Sequence, residues 1–131
     1  MQTIPEKFLD LLSPEKKAYG YLATTMKDGT PQVTTVWFSW DGSHILVNSA
    51  RGRLKDKNMK ARPYVAFLVP DPADAYRYIQ IRGKVVEINE EGALEHINAL
   101  SMQYDGHPWK KVEGQVRVIY KIEPDHVMAR G

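Results

Sequence analysis

The chain has 131 residues, 43% of them hydrophobic and 26% charged, which is typical of a globular protein and predicts a single domain over residues 1–131. The absence of cysteine excludes structural disulfides and thiolate-bound zinc or iron–sulfur clusters. A net charge of +2 is too small to indicate a general polyanion partner, and no apolar run reaches the ~20 residues of a membrane span. There is no signal-peptide pattern either, so we expect a cytoplasmic protein that binds neither nucleic acid nor a membrane.

The first predicted elements are a short helix and three strands. Thr3 and Glu6 have the spacing of a capping box, which predicts that the helix starts there. Residues 19–26, 32–40 and 44–48 are rich in β-forming side chains, and an Asp-Gly pair in each connection predicts a tight turn. Three antiparallel strands joined in this way predict a meander.

Two more strands follow a short basic helix. Residues 64–69 form an apolar run bounded by prolines, which predicts a strand covered on both faces, and residues 70–72 predict a loop. Residues 76–88 are long for one strand, and their alternation of apolar and polar residues slips partway along. We therefore predict a β-bulge at Gly83 or Lys84 that bends this strand.

The remaining elements are two helices and a last strand. A helix over residues 54–61 has Leu54, Asn58 and Ala61 on one side at i, i+4, i+7 spacing, and a second helix starts after residues 89–91. The inward residues of the second helix are predicted to be Ala93, Ile97, Leu100 and Tyr104. In the strand over residues 115–123, Val116, Val118, Tyr120 and Ile122 are predicted inward and Arg117 outward. Six strands with tight turns predict a mainly β protein with α decoration, built as a small, curved, antiparallel barrel.

The titratable residues show no catalytic arrangement. The four histidines lack metal-ligand spacing, the carboxylates are dispersed, and no glycine-rich nucleotide loop is present. We therefore predict no catalytic side chain and no metal site. The histidines are His44, His96, His107 and His126.

The clearest functional signal is the basic segment, residues 51–62. It contains six cations and one acid, Asp56, and so carries +5 in a chain of +2. One interpretation is a solvated helix surface. However, the cations begin at Arg51 and Arg53, before the helix, where the helix dipole favours negative charge. An anion bound at this helix start is therefore the better interpretation.

Two other features are compatible with a binding site. Residues 32–37 form a polar strand whose amides and hydroxyls can meet a flat heterocycle, although β-propensity alone also explains its threonines. Tyr76 and Tyr78 share one face of their strand, either as an aromatic wall or as cross-strand packing.

Several motifs together resemble the pyridoxamine 5′-phosphate oxidase-like split-barrel superfamily, and within it the flavin/deazaflavin oxidoreductases that use coenzyme F(420). The resemblance covers about residues 19–127. Its motifs are Leu22-Ala23-Thr24, Asp28-Gly29-Thr30-Pro31-Gln32, Val36-Trp37-Phe38, Ser49-Ala50-Arg51-Gly52-Arg53-x-Lys55-x-x-Asn58 and Tyr120-x-Ile122-Glu123-Pro124. The resemblance implies a six-stranded antiparallel split β-barrel.

The resemblance also implies a cofactor site in a homodimer. The cofactor is the deazaflavin coenzyme F(420), with FMN as the alternative. The residues implied for the phosphate are Ser49, Arg53 and Lys55, with Asn58 as a further contact. Those implied for the ring are Gln32, Thr34, Thr35, Val36 and Trp37, with Tyr76 and Tyr78 approaching from the second subunit.

The activity that this resemblance implies is hydride transfer between the cofactor and a flat, conjugated small molecule, in which the protein orients the rings. The alternative is a non-catalytic flavin- or haem-binding carrier or storage protein on the same barrel. A nucleic-acid-binding helix is a weaker alternative, because its cations are packed into a few turns rather than spread over a surface.

Overall fold

The computed structural model describes residues 2–131, so Met1 of the predicted domain lies outside the described part of the chain. Seven strands form one antiparallel sheet. They are β1 (Gly20–Thr25), β2 (Pro31–Val36), β3 (Phe38–Trp40), β4 (Ile45–Ala50), β5 (Tyr64–Asp71), β6 (Asp74–Asn89) and β7 (Arg117–Arg130). The order across the sheet is β2-β1-β5-β6-β7-β4-β3, and the sheet curls around one core. This mainly β architecture confirms the predicted split barrel, with seven strands instead of six.

The extra strand arises because the predicted return strand over residues 32–40 is interrupted at Trp37. Its first half, β2, pairs with β1, whereas its second half, β3, pairs with β4 at the other edge of the sheet. The predicted meander is therefore wrong. Val36 and Phe38 are both buried, so the inward alternation continues through the crossing and the sequence pattern shows no break.

The long strand β6 bends where the sequence predicted a bulge. Its register with β7 shifts between Arg82 and Gly83, which confirms that prediction. A Cβ at Gly83 would lie 2.3 Å from the carbonyl oxygen of Glu123, so only glycine allows the two backbones to approach this closely.

Three other details of the strands differ from the prediction. Pro70 lies inside β5 instead of in a loop, just before a register shift at Asp71. Strand β7 continues to Arg130, seven residues past its predicted end. At its start, Val116 is exposed and Arg117 is buried, which is the reverse of the predicted faces. Pairing of Ala50 with Arg117 turns this cation toward the interior beside the basic segment.

Two α-helices and two short 3₁₀ helices cover the sheet. Helix α1 spans Leu54–Ala61, and α2 spans Ala93–Asp105. The 3₁₀ helices span Glu6–Leu12 and Pro14–Lys16, and no side-chain cap precedes the first one, so the predicted start at Thr3 is wrong. Within residues 2–131, no helix is both long enough and apolar enough to cross a bilayer.

The buried faces of α1 and α2 differ in chemistry. Ala93, Ile97 and Leu100 of α2 are buried as predicted. In α1 the predicted side is buried only at Asn58, since Leu54 is 46% exposed and Ala61 is exposed too, and Asp56 is buried as well. Apolar periodicity cannot locate a polar buried face of this kind, because such a face is held by hydrogen bonds to the sheet.

Candidate cofactor site

A cavity of about 210 Å³ lies between the start of α1, the β2–β3 junction, α2 and the start of β7. One end is cationic, and the remaining walls are aromatic, apolar or weakly polar. Its lining residues are Tyr19, Thr35, Val36, Trp37, Asn48, Arg53, Lys55, Ile97, Leu100, Trp109 and Arg117. We call this the cationic cavity.

Three cations meet at the cationic cavity without an acid to balance them. They are Arg53, Lys55 and Arg117, and within residues 2–131 none of them forms an ion pair. Burial lowers the pKa of Lys55, and the charges of Arg53 and Arg117 lower it further. Burial and the charge of Arg53 likewise lower the pKa of Arg117, to about 10. Clustered cations of this kind favour an anion.

Other cations of the basic segment have structural roles instead. The Nε of Arg51 donates to Glu90 at 2.9 Å, and its guanidinium also faces the buried carboxylate of Asp56. Arg62 donates from Nε to the carbonyl oxygen of Thr25 at 2.7 Å. The basic segment therefore contains cations that fix the helix, cations that face the cavity, and the exposed Lys57 and Lys60.

The loop before α1 is held by the buried carboxylate of Asp56. This carboxylate accepts a 2.9 Å hydrogen bond from the Gly52 amide and another from the Tyr120 hydroxyl of β7. Gly52 has a φ of +89°, a conformation that glycine adopts readily, and it immediately precedes Arg53. Asp56 thus fixes the backbone from which Arg53 and Lys55 project.

An aromatic stack forms one wall of the cavity. The rings of Trp37 and Tyr104 are parallel, 5.4 Å apart with a 2° interplanar angle, and Tyr19 stacks on Tyr104 at 5.4 Å. The Tyr104 hydroxyl donates to the carbonyl oxygen of Ala18, which fixes the stack against the chain before β1. Burial raises the pKa of Tyr104 to about 12, so its hydroxyl stays protonated.

Arg117 is held by neutral partners. Its Nε donates to Asn48 Oδ1 at 2.9 Å, its NH1 donates to Gln115 Oε1 at 3.1 Å, and its guanidinium lies 4.9 Å from the ring centre of Trp109. Asn48 Nδ2 lies 3.1 Å from His96 Nδ1, and His96 Nε2 lies 2.9 Å from Ser39 Oγ. Burial and the charge of Arg117 lower the pKa of His96 to about 4.

The structure brings five of the predicted cofactor residues together at the cationic cavity. They are Thr35, Val36, Trp37, Arg53 and Lys55. The predicted ring strand and the predicted phosphate cations therefore meet in space, although about 20 residues separate them in the chain.

The other predicted residues lie outside that cavity. The Oγ atoms of Ser49 and Thr34 are buried and have no hydrogen-bond partner among the described residues. Gln32 and Asn58 both hydrogen-bond Thr24 of β1, so they connect β2 and α1 to that strand.

The predicted tyrosines also lie away from the cavity within one chain. Tyr76 is 85% exposed near the start of β6. Tyr78 is partly buried and pairs with Arg130 across β6 and β7.

The cavity also contains residues that the sequence did not indicate. They are Tyr19, Asn48, Ile97, Leu100, Trp109 and Arg117. The available signal for Arg117 was a cation at the beginning of an otherwise apolar strand, but alternation assigned it to the outer face. Trp109 lies in an irregular loop, where no periodicity indicates direction.

A larger groove of about 440 Å³ lies elsewhere, on the outer face of β1, β5 and β6. Tyr64, Arg82, Asp125 and His126 are among its lining residues. Its lining contains one cation, Arg82, and one acid, Asp125, so it lacks the net positive charge of the cationic cavity, and we do not assign it the cofactor phosphate.

A split barrel with a cationic, aromatic-walled cavity defines a class of cofactor-binding β-proteins. The sequence matches the pyridoxamine 5′-phosphate oxidase family over residues 4–130, so the chain belongs to that family. A search of curated proteins gave no match.

Solved structures support the same assignment. One named F(420) reductase is 37% identical, with a TM-score of 0.84 and coverage of 95% of this chain and 98% of that one. Two more distant ones show the shared fold. Rv2991 of Mycobacterium tuberculosis is 23% identical with a TM-score of 0.74, covering 98% of this chain and 85% of its own. HupZ of Group A Streptococcus is 17% identical with a TM-score of 0.69, and the match covers 98% of this chain and 99% of HupZ.

The residues of the cavity fit a phosphorylated cofactor of this oxidoreductase-like, flavin-binding family. Arg53 and Lys55 supply charge for a phosphate at the start of α1, and the indole Nε1 of Trp109 is a buried donor that lacks a partner within residues 2–131. Trp37 and Val36 offer a flat apolar wall for a ring system.

Proposed function

We propose that the protein is an oxidoreductase that transfers a hydride between a bound deazaflavin, coenzyme F(420), and a flat, conjugated small molecule. FMN is the alternative cofactor. The observation that carries this proposal is the group of unbalanced cations beside an aromatic wall. The 37% identity to a protein named F(420) reductase favours the deazaflavin over FMN. A cytoplasmic location remains part of the proposal.

In this proposal Arg53 and Lys55 bind the cofactor phosphate. Both are within reach of one anion at the beginning of α1, where unpaired backbone amides and the helix dipole add positive potential. Thr35, Val36 and Trp37 then position the ring. Asn58 already donates to Thr24, so we assign it to the packing that supports α1. Ser49 Oγ is buried without a hydrogen-bond partner among the described residues, and Ser49 stays a predicted phosphate contact.

We further propose that the cofactor site is completed in a homodimer. The cationic cavity of about 210 Å³ is smaller than the roughly 300–1,000 Å³ of typical ligand pockets, so one chain encloses only part of such a cofactor. Val33 and Tyr64, on the outer faces of β2 and β5, are 65% and 67% exposed and offer apolar surface for a second copy. Tyr76 and Tyr78 would then approach the cofactor from the second subunit.

The chemistry that a bound cofactor of this kind supplies is hydride transfer. The protein contributes binding, orientation and exclusion of water. The stack formed by Trp37, Tyr104 and Tyr19 gives the site a flat wall that is uncharged at neutral pH. No side chain is required to donate or accept a proton in the transfer itself.

A titration of purified protein tests the binding part of the proposal. We expect Arg53→Met and Lys55→Met each to weaken binding of F(420) or FMN by about 1.5–3 kcal/mol, the range of a hydrogen bond to a charged group. Lys57→Met is the matched control, since Lys57 is an exposed cation of the same helix that does not line the cavity. Wild-type affinity in both cavity variants would contradict the phosphate assignment.

A turnover assay tests the enzymatic part. The reduced cofactor and a panel of quinones and other conjugated carbonyl compounds are mixed with the protein, and oxidation of the cofactor is followed by absorbance. Hydride transfer supports the oxidoreductase. Tight binding with no turnover would instead favour the non-catalytic carrier or storage protein.

A further inference from the structure

We propose that Arg117 is a third binding residue for the anion held by Arg53 and Lys55, and that Asn48 and His96 position its guanidinium. This assignment deepens the proposed function and rests on it, because the anion is the phosphate ester of the cofactor. Arg117 reaches the cavity from β7, far along the chain from the basic segment.

Burying the charge of Arg117 is costly. The residue is 5% exposed, and no carboxylate within residues 2–131 is paired with it. Its charged neighbours at the cavity are Arg53 and Lys55, both of the same sign. A buried charge is retained at such a cost when it has a counter-charge or a function, and a ligand anion supplies both.

The guanidinium of Arg117 has donors that its protein partners do not use. A guanidinium has five N–H groups in a fixed plane. The Nε of Arg117 donates to Asn48 and one NH1 hydrogen donates to Gln115, while Trp109 lies against the guanidinium. Three N–H groups are left, and Arg117 lines the cavity. They match the geometry of phosphate oxygens, which arginine binds through two parallel hydrogen bonds.

The hydrogen bonds of Asn48 determine how its side-chain amide is oriented. Its amide donates from Nδ2 to the carbonyl oxygen of Ala93 at 2.9 Å and to His96 Nδ1 at 3.1 Å. With both contacts made by Nδ2, the oxygen Oδ1 must face Arg117. His96 can accept this hydrogen bond only as a neutral ring with its proton on Nε2, which then donates to Ser39 Oγ. Neutral His96 therefore fixes Asn48, and Asn48 fixes Arg117.

Calorimetric titration of the intact protein tests the role of Arg117. The ligands are F(420), FMN and inorganic pyrophosphate, which separate recognition of the phosphate from recognition of the ring. We expect Arg117→Met to bind each ligand about 10- to 100-fold more weakly, the range of a charge-assisted hydrogen bond. Arg117→Lys keeps the charge but loses the planar guanidinium, so its affinity should lie between those of the wild type and Arg117→Met. Lys57→Met is again the control.

The stability of Arg117→Met separates a ligand-binding role from a structural one. Methionine keeps much of the apolar stem and removes an uncompensated buried charge, so we expect the urea midpoint without ligand to stay the same or rise. A lower midpoint together with unchanged affinity would show that Arg117 is structural, and would overturn the proposal.

Asn48→Asp tests the positioning residues. A carboxylate at this position pairs with Arg117 and neutralises it, so we expect a loss of affinity similar to that of Arg117→Met. The same variant should raise the pKa of His96, measured by NMR, because it places a negative charge beside the ring. Wild-type affinity and an unchanged His96 pKa would overturn the positioning role.

The outcomes distinguish this inference from the proposed function. If the wild-type protein binds none of the three ligands, both the proposed function and the role of Arg117 are refuted. If the Arg53 and Lys55 variants lose affinity while Arg117→Met binds like wild type, the phosphate site stands and the third residue alone is refuted.

Discussion

Tyr120→Phe removes one hydroxyl from the centre of the protein and tests how the cation-bearing loop is held. Tyr120 is fully buried in β7, and its hydroxyl donates to the carboxylate of Asp56 in α1. A hydrogen bond to a charged group contributes about 1.5–3 kcal/mol. We expect the free energy of unfolding to fall by that amount, because phenylalanine fills the same space and leaves Asp56 with fewer donors.

The matched control is Tyr104→Phe. The Tyr104 hydroxyl donates to the neutral carbonyl oxygen of Ala18, and a hydrogen bond of that kind contributes about 0.5–1.5 kcal/mol. Urea denaturation of both variants at neutral pH gives the comparison, with the slope m expected to stay at its wild-type value. Equal losses of unfolding free energy in Tyr120→Phe and Tyr104→Phe would refute the idea that the charge of Asp56 strengthens its hydrogen bond with Tyr120.

The pH dependence of Tyr120→Phe gives a second check. Burial raises the pKa of Asp56, but hydrogen bonds from Tyr120 and Gly52 and the charge of Arg51 outweigh this, and the pKa lies below its ordinary value of 3.8. The ionised carboxylate therefore stabilises the fold above the unfolded pKa, and this stability is lost as pH falls through the lower folded pKa. The difference between wild type and Tyr120→Phe should narrow in acid. A constant difference would contradict this account.

Two further predictions concern other parts of the fold. The pKa of His96 falls from 6.5 to about 4 on folding, so the unfolded chain takes up the proton first, and roughly 3 kcal/mol of stability should be lost as pH falls from 6.5 to 4. Across this pH range the urea midpoint of His96→Gln should change less with pH than that of the wild type. The same pH dependence in both proteins would contradict the lowered pKa of His96. Gly83→Ala should cost about 1–3 kcal/mol, since its Cβ would meet the Glu123 carbonyl oxygen at 2.3 Å. Gly20→Ala would place its Cβ 2.1 Å from the ring of the buried Phe67 and should cost a similar amount, because a packed core ring cannot move aside easily. Thermal unfolding of both variants tests this, and a much smaller loss in Gly20→Ala would contradict it.

Local patterns were sufficient for much of the fold. The slip in alternation near Gly83 predicted the bulge, because a β-bulge changes which residues face inward along the strand itself. The bounds of α1 also followed from local signals, with the proline after it as the stop. The buried face of α1 was predicted only in part. Asn58 is buried as predicted, but Asp56 is buried and Leu54 is exposed, because hydrogen bonds to distant strands rather than apolar contacts hold this face.

By itself, the sequence determined that this is a mainly β protein with a dense group of cations between β4 and α1, since both features lie in consecutive residues. Only the tertiary structure decided which cations face the cavity. Pairing of Ala50 with Arg117 places β7 beside the basic segment, and the turn at Trp37 sends β2 and β3 to opposite edges of the sheet. These arrangements depend on strand pairing between residues far apart in the chain, and local periodicity in the sequence does not predict such pairing.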